Sequence, residues 1–127
     1  MRQCGALQNE RKAFIFIEKM REFEEDGCTI IVGENARENW DMLDMTQGHD
    51  CYLFHLRHYP SCYVILTMTE GEATTAHIRL AAEKCKQYTK QKNIRNLSVD
   101  YAERKSVSKG IQLGEMVWMN NPKTIKI

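Results

Sequence analysis

Five side chains able to do chemistry crowd into residues 49–62: His49, Cys51, His55, His58 and Cys62. Imidazole and thiolate are zinc's usual ligands, and a zinc site needs them to converge tetrahedrally. On a strand of period two, Cys51 and His55 face the same way and His49 can join them, with His58 and Cys62 across the following turn. The stretch has no C-x-x-C knuckle and no H-x-x-x-H on a helix, so no metal is assigned. A second chemistry pairs His55 as acid or base with Cys62 as nucleophile, with Asp50 or Asp100 to orient the ring. Spacing alone brings no two of these together, so no catalytic residue is assigned and His55 and Cys62 stand as the runner-up pair. The plainer reading packs Cys51 into a sheet and makes His55 a hydrogen-bonded residue that holds the turn after its strand, about Tyr59–Ser61.

Two further patterns concern anions. Gly33–Glu38 opens a helix, whose first turn offers unpaired N–H groups to a phosphate. Glu34 and Glu38 would repel one there, so capping is the assigned role. The basic residues say more. Net charge is only +1, yet residues 1–75 hold seven Lys/Arg against thirteen Asp/Glu, and residues 76–127 hold eleven against four. Such asymmetry points to a polyanionic partner. Arg79, Lys86 and Lys90 form a stripe on one helix face, extended by Lys92 and Arg95, which a merely solvated face also explains. Lys105, Lys109 and Lys123 punctuate short β-rich runs, the arrangement of a surface that meets phosphates. Tyr101 and Trp118 offer faces on which bases can stack, whereas Tyr88 falls on an apolar helix face.

The elements that must position these groups follow from periodicity. The 127 residues make one domain's worth of chain, large enough for a hydrophobic core. No run reaches the roughly 18 apolar residues of a membrane helix, and five scattered cysteines suit a reducing, intracellular (cytoplasmic) setting. Residues 1–13 read as a flexible polar segment and 14–127 as a single domain. Asp26-Gly27 marks a hairpin turn before a β-branched strand over 28–32. Asn35 caps a short helix with Ala36, Trp40 and Leu43 on one face. Strands follow over 50–56 and 62–68, with a turn about Pro60. The clearest helix spans 74–91 and buries Ile78, Ala81, Ala82, Cys85 and Tyr88. Further strands cover 97–101, 115–119 and 124–127. The fold class is α+β, a mostly antiparallel sheet with two main helices, one short and one long, packed on it.

In order and spacing, residues 97–127 resemble the end of the R domain of the NFACT family, the fibronectin-binding-A-like and ribosome-quality-control proteins. The motif there is V-D-Y at 99–101, then Lys105, Val107, Lys109, Gly110, Gly114, and K-T-I at 123–125. The likeness runs back to about residue 14. Phe16–Lys19 and Phe23 resemble an aromatic-F-E-K segment, and Gly33, Asn35, Ala36 and Asn39 resemble G-x-N/D-A-x-x-N. His55 matches the histidine of D-x-W-F-H, and Pro60 the proline of P-G-S-H. Leu53 stands at the Trp position, and Ser61, Cys62 and Tyr63 at Gly-Ser-His, so a role that needs those side chains is not carried over. The resemblance implies a free-standing R domain that recognises tRNA or rRNA, with the ribosome a possible partner and no cofactor or metal. The basic positions it picks out are Lys105, Lys109 and Lys123; the helix stripe of Arg79, Lys86 and Lys90 stands behind them as RNA contacts on its charge pattern alone. Gly33, Asn35, Asn39, His55, Pro60, Gly110 and Gly114 would be its structural motif. Two alternatives stand beside this RNA-binding module: an enzyme that acts on RNA through His55, and an adaptor whose acidic N-terminal half docks a protein partner.

Overall fold

The computed structural model describes residues 20–127. The flexible segment expected over 1–13, and the start of the domain expected at 14, lie outside the described residues. Strand β1 (Arg21–Glu25) and strand β2 (Cys28–Gly33) form the expected hairpin. Asp26 and Gly27 both take positive φ, 52° and 77°, the turn geometry whose twist suits two antiparallel strands. Helix α1 (Ala36–Thr46) begins where Asn35 Oδ1 accepts the Glu38 N–H at 2.9 Å, while Glu38 reaches back to the Glu34 N–H at 2.9 Å. Strands β3 (Tyr52–Leu56) and β4 (Tyr63–Met68) lead to helix α2 (Thr75–Gln87). Thr74 and His77 cap α2 reciprocally. Then come β5 (Ser98–Glu103), a 3₁₀ turn (Arg104–Ser106), β6 (Val107–Lys109), β7 (Met116–Trp118) and β8 (Lys123–Lys126).

The main sheet has the order β1-β2-β4-β3-β5-β8, antiparallel throughout, and β6 pairs with β7 in a small sheet of its own. This is the α+β arrangement expected. Alternation along the central strands splits the core in two. Ile30, Val32, Phe54, Val64 and Leu66 meet Ala81, Ala82 and Cys85 of α2 on one face. Ile31, Leu53, Tyr63 and Ile65 meet Met42 and Leu43 of α1, with Val107, on the other. The sheet is therefore the middle of three layers, which is why β2 and β4 read as nearly continuous apolar runs.

Two elements differ from expectation for physical reasons. Helix α2 ends at Gln87, not at Gln91, because the Thr89 hydroxyl donates to the Lys86 carbonyl at 3.0 Å and accepts the Gln91 N–H at 3.2 Å. Helix α1 buries Asn39, Met42, Leu43 and Thr46, a stripe rotated from the expected Ala36, Trp40 and Leu43. The C-terminal end of that stripe is held by Arg104, only 9% exposed. Its guanidinium donates to Leu43 O at 2.7 Å, Thr46 Oγ1 at 3.0 Å and Val107 O at 2.8 Å, drawing the end of α1 down onto β6. Leu43 O is one of the last-turn carbonyls that a helix leaves unpaired, so the cation acts as its cap.

Candidate functional site

Helix α2 runs between two poles of opposite charge. At its start, His77 Nε2 donates to Asp26 O at 2.8 Å, and the hairpin turn with Glu24, Glu25 and Asp26 faces the loop that carries Glu70 and Glu72. At its end, Lys86 Nζ donates to Ile127 O at 2.9 Å, and Lys90 lines a hollow with Pro60, Ser61 and Tyr88. Lys92 and Arg95 follow on the connection to β5. The sheet adds two more cations at the same end, on the face away from α2. The Arg57 N–H donates to Ser98 O at 3.0 Å, and Lys126 is the partner of Ser98 across β5 and β8. Among the described residues Lys90, Lys92, Arg95 and Lys126 form no ion pair, while Lys86 is engaged by Ile127 O and Arg57 reaches Asp100 at 3.3 Å. Arg57 and Lys126 lie far apart in the chain, and only the β3-β5-β8 order unites them.

The basic residues singled out by sequence do not converge. Lys105 pairs with Glu103 at 3.3 Å. Lys109 pairs with Asp44 at 2.6 Å and sits 4.7 Å above the Trp40 ring. Both line one groove beside the end of α1, with Arg104 and Gln47. Lys123 stands opposite Tyr101, beside Thr74 and Ile78, on the face that α2 covers. Arg79 is exposed on the first half of α2 and so lies apart from Lys86 and Lys90. Of the aromatic candidates, Tyr101 stacks on Phe54 with ring centres 5.3 Å apart, and Tyr88 packs near Phe23 at 6.0 Å. Tyr88 and Tyr101 edge two hollows, while Trp118, half-buried, lines another.

That hollow is where the motif residues meet. Asn39, His55, Pro60 and Gly114 line a pocket of about 370 Å³ together with Ser61, Tyr63, Glu115, Met116 and Trp118. Gly33 borders it from below: a Cβ there would stand 2.8 Å from Asn39 Oδ1 and collide with Met42 Sδ, so only glycine lets α1 approach. Gly114, at φ +86°, packs on the Ala36 backbone and accepts the Tyr63 hydroxyl proton through its carbonyl. Burial, with the nearby Glu115 carboxylate, pushes the Tyr63 phenol up to about 12. Gly110 closes the β6–β7 connection, where Glu115 Oε1 accepts the Ile111 N–H at 2.7 Å. Asn35 stays outside as the α1 cap.

His55 is half-buried, with Nδ1 2.7 Å from Leu56 O and its ring edge-on to Tyr63. A carbonyl partner requires Nδ1 to carry the proton, which leaves Nε2 as the acceptor. Burial lowers its pKa, against smaller opposing effects of the Leu56 carbonyl and Asp100, so the ring is held neutral. The turn that His55 was expected to hold is held by Ser61, whose Oγ accepts the Leu56 N–H at 3.0 Å and donates to Cys62 O at 2.9 Å. Cys62 points into the opposite core layer, with Sγ 3.4 Å from Cys85 O, so the sheet separates it from His55. Among the described residues no three His, Cys, Asp or Glu side chains gather as a metal would require. The four described cysteines are unpaired and buried, and Cys51 is pushed up to about 11, chiefly by burial. No described helix is long and apolar enough to cross a membrane.

Comparison with known proteins places this geometry. The model of the NFACT protein RNA binding domain matches residues 21–118. The C-terminal part of the fibronectin/fibrinogen-binding protein from Streptococcus suis is similar in structure, with a TM-score of 0.69 and 25% sequence identity. The likeness covers 85% of this chain and 44% of that one, so the chain spans less than half the length of that structure. No curated protein matches the chain in sequence.

Proposed function

Because this chain belongs to the NFACT RNA binding domain family, we propose that it recognises structured RNA, tRNA or rRNA, at the basic pole of its sheet. Arg57, Lys86, Lys90, Lys92, Arg95 and Lys126 supply the phosphate contacts. The observation that carries this reading is the run of basic residues on the last turns of α2 and the 88–97 connection, with Arg57 and Lys126 at the same end of the sheet on its other face, most of them without an acidic partner among the described residues. A helix C-terminus attracts cations through its dipole, and that accounts for Lys84 and Lys86. It does not account for Lys92, Arg95, Arg57 or Lys126, which lie beyond the last turn. Lys105 and Lys109 rank lower than the sequence suggested, since Glu103 and Asp44 already balance them.

An RNA backbone docked here exchanges its condensed counterions for these side chains, which gives affinity without sequence preference. The polarity of α2 orients the ligand, since the acidic pole with Glu24, Glu25, Asp26, Glu70 and Glu72 repels the same backbone. Catalysis by His55 has less support: its Nδ1 is engaged and Cys62 lies across the sheet. We place the protein's work in the cytoplasm, in translation or ribosome quality control. Crosslinking in cells followed by sequencing of bound RNA tests the assignment. Enrichment of tRNA or rRNA fragments over messenger RNA is expected. Protein partners that survive nuclease treatment, without RNA crosslinks, would replace it with the adaptor reading.

A further inference from the structure

We propose that the pocket between α1, the β3–β4 turn and β7 takes one unpaired nucleobase of the bound RNA. This rests on the RNA-binding reading above and adds a place where that RNA is read.

The pocket's chemistry selects a neutral, planar group. Its lining contains no lysine or arginine, and Glu115 is its one charged member, so a phosphate is disfavoured. Trp118, His55, Tyr63 and Pro60 supply flat apolar surfaces of the kind on which unstacked bases lie. The polar atoms around it are mostly engaged. Ser61 Oγ serves Leu56 N–H and Cys62 O, the Tyr63 hydroxyl serves Gly114 O, Trp40 Nε1 serves Glu115 O at 2.9 Å, and Glu115 Oε1 serves its own loop. What remains is Asn39 and His55 Nε2. Asn39 is 7% exposed, and its Oδ1 is fully buried without a hydrogen-bond partner. Buried amides are rarely left so, and one that is needs an explanation. Oδ1 is packed against Gly33, so what Asn39 can offer a nucleobase edge is its amide N–H group, and every base carries an acceptor for it.

Location links this pocket to the phosphate contacts. Pro60 and Ser61 form one wall of the pocket and also one wall of the hollow that holds Lys90. A backbone that runs over Lys90 can therefore turn a single base across Pro60 and into the site. A duplex cannot, because its bases are paired and stacked.

The test uses the whole chain and two RNAs of equal charge, a hairpin with 2-aminopurine in its loop and a blunt duplex. The hairpin should bind about tenfold tighter or more, with the 2-aminopurine emission quenched on Trp118. Trp118→Ala should erase that preference and Trp118→Phe restore most of it. Asn39→Ala should weaken hairpin binding while leaving thermal stability unchanged or raised, which a purely structural asparagine would not do. Equal binding of hairpin and duplex by the wild type, or variants that keep the preference, would overturn the pocket while leaving the RNA reading intact. Should neither RNA bind, the RNA reading fails, and titration with AMP, GMP, CMP and UMP decides the pocket alone. A shift in tryptophan emission that Asn39→Ala abolishes supports it, and no shift with any of the four overturns it.

Discussion

Replacing Arg104 with methionine should separate the end of α1 from the β6–β7 sheet. The substitution keeps an apolar stem and removes a guanidinium that donates to Leu43 O, Thr46 Oγ1 and Val107 O. Burial lowers the Arg104 pKa from its ordinary value, yet arginine stays charged in proteins, so three charge-assisted bonds are lost together. Each contributes roughly 1.5–3 kcal/mol in isolation, and neighbours in one network do not add fully. Water can reach part of the vacated site, which brings the expected loss to about 3–5 kcal/mol, against roughly 5–15 kcal/mol for a whole domain. Urea unfolding followed by tryptophan emission reads it directly, since Trp40 and Trp118 flank the contact. With a urea slope near 2 kcal/mol per molar, the midpoint should fall by about 2 M at unchanged slope. A loss below about 1 kcal/mol, no larger than that of exposed Lys105→Met, would refute the claim that this cation ties the two layers.

Two further outcomes follow from the site. Because burial depresses the His55 pKa below 6.5, the unfolded chain takes up a proton that the folded chain refuses as pH falls. Stability should therefore be full above about pH 6.5 and decline below it until the folded-state pKa is passed, and His55→Gln should flatten that part of a pH-dependent unfolding series; identical profiles would show that the ring is not held neutral. Gly114→Ala should cost about 1–3 kcal/mol from its positive φ alone, before the new methyl meets Ala36 at 2.6 Å. A thermal melt equal to wild type would mean that β7 does not press on α1 as described.

Local chemistry made much of the scaffold legible in the sequence. Asp26-Gly27, the Asn35 cap and the apolar, β-branched runs through residues 28–32 and 62–68 each act over a few residues, and each produced the element expected. The failures have a common cause in distant partners. Arg104 looks like one more solvated cation in the run Glu103–Lys105, and nothing local reveals that it lies beneath α1. Asn39 and Thr46 look solvent-facing for the same reason. Strand β6 holds three residues, too few for a pattern, whereas β7 falls within the strand expected over 115–119. The site was half visible. Likeness to the NFACT R domain singled out Gly33, Asn39, His55, Pro60 and Gly114, but only the three-layer packing shows that they share a pocket. The same packing divides the His/Cys cluster between two faces. It also assembles a basic pole from Arg57 and Lys126, which no stretch of sequence places together.

The most direct test of the account is the salt dependence of RNA affinity, measured for the wild type, for Lys90→Gln/Lys92→Gln/Arg95→Gln, and for Lys105→Gln/Lys109→Gln. Each phosphate contact contributes about −0.7 to −0.9 to the slope of log affinity against log salt. The pole variant should therefore be shallower by about 2 to 3 and bind roughly a hundredfold more weakly at 0.15 M salt, converging on wild type near 1 M. The groove variant should lose less than about one unit of slope, because Glu103 and Asp44 already balance its lysines. A flat wild-type response, or a larger loss from Lys105 and Lys109 than from Lys90, Lys92 and Arg95, would contradict recognition of RNA at the basic pole.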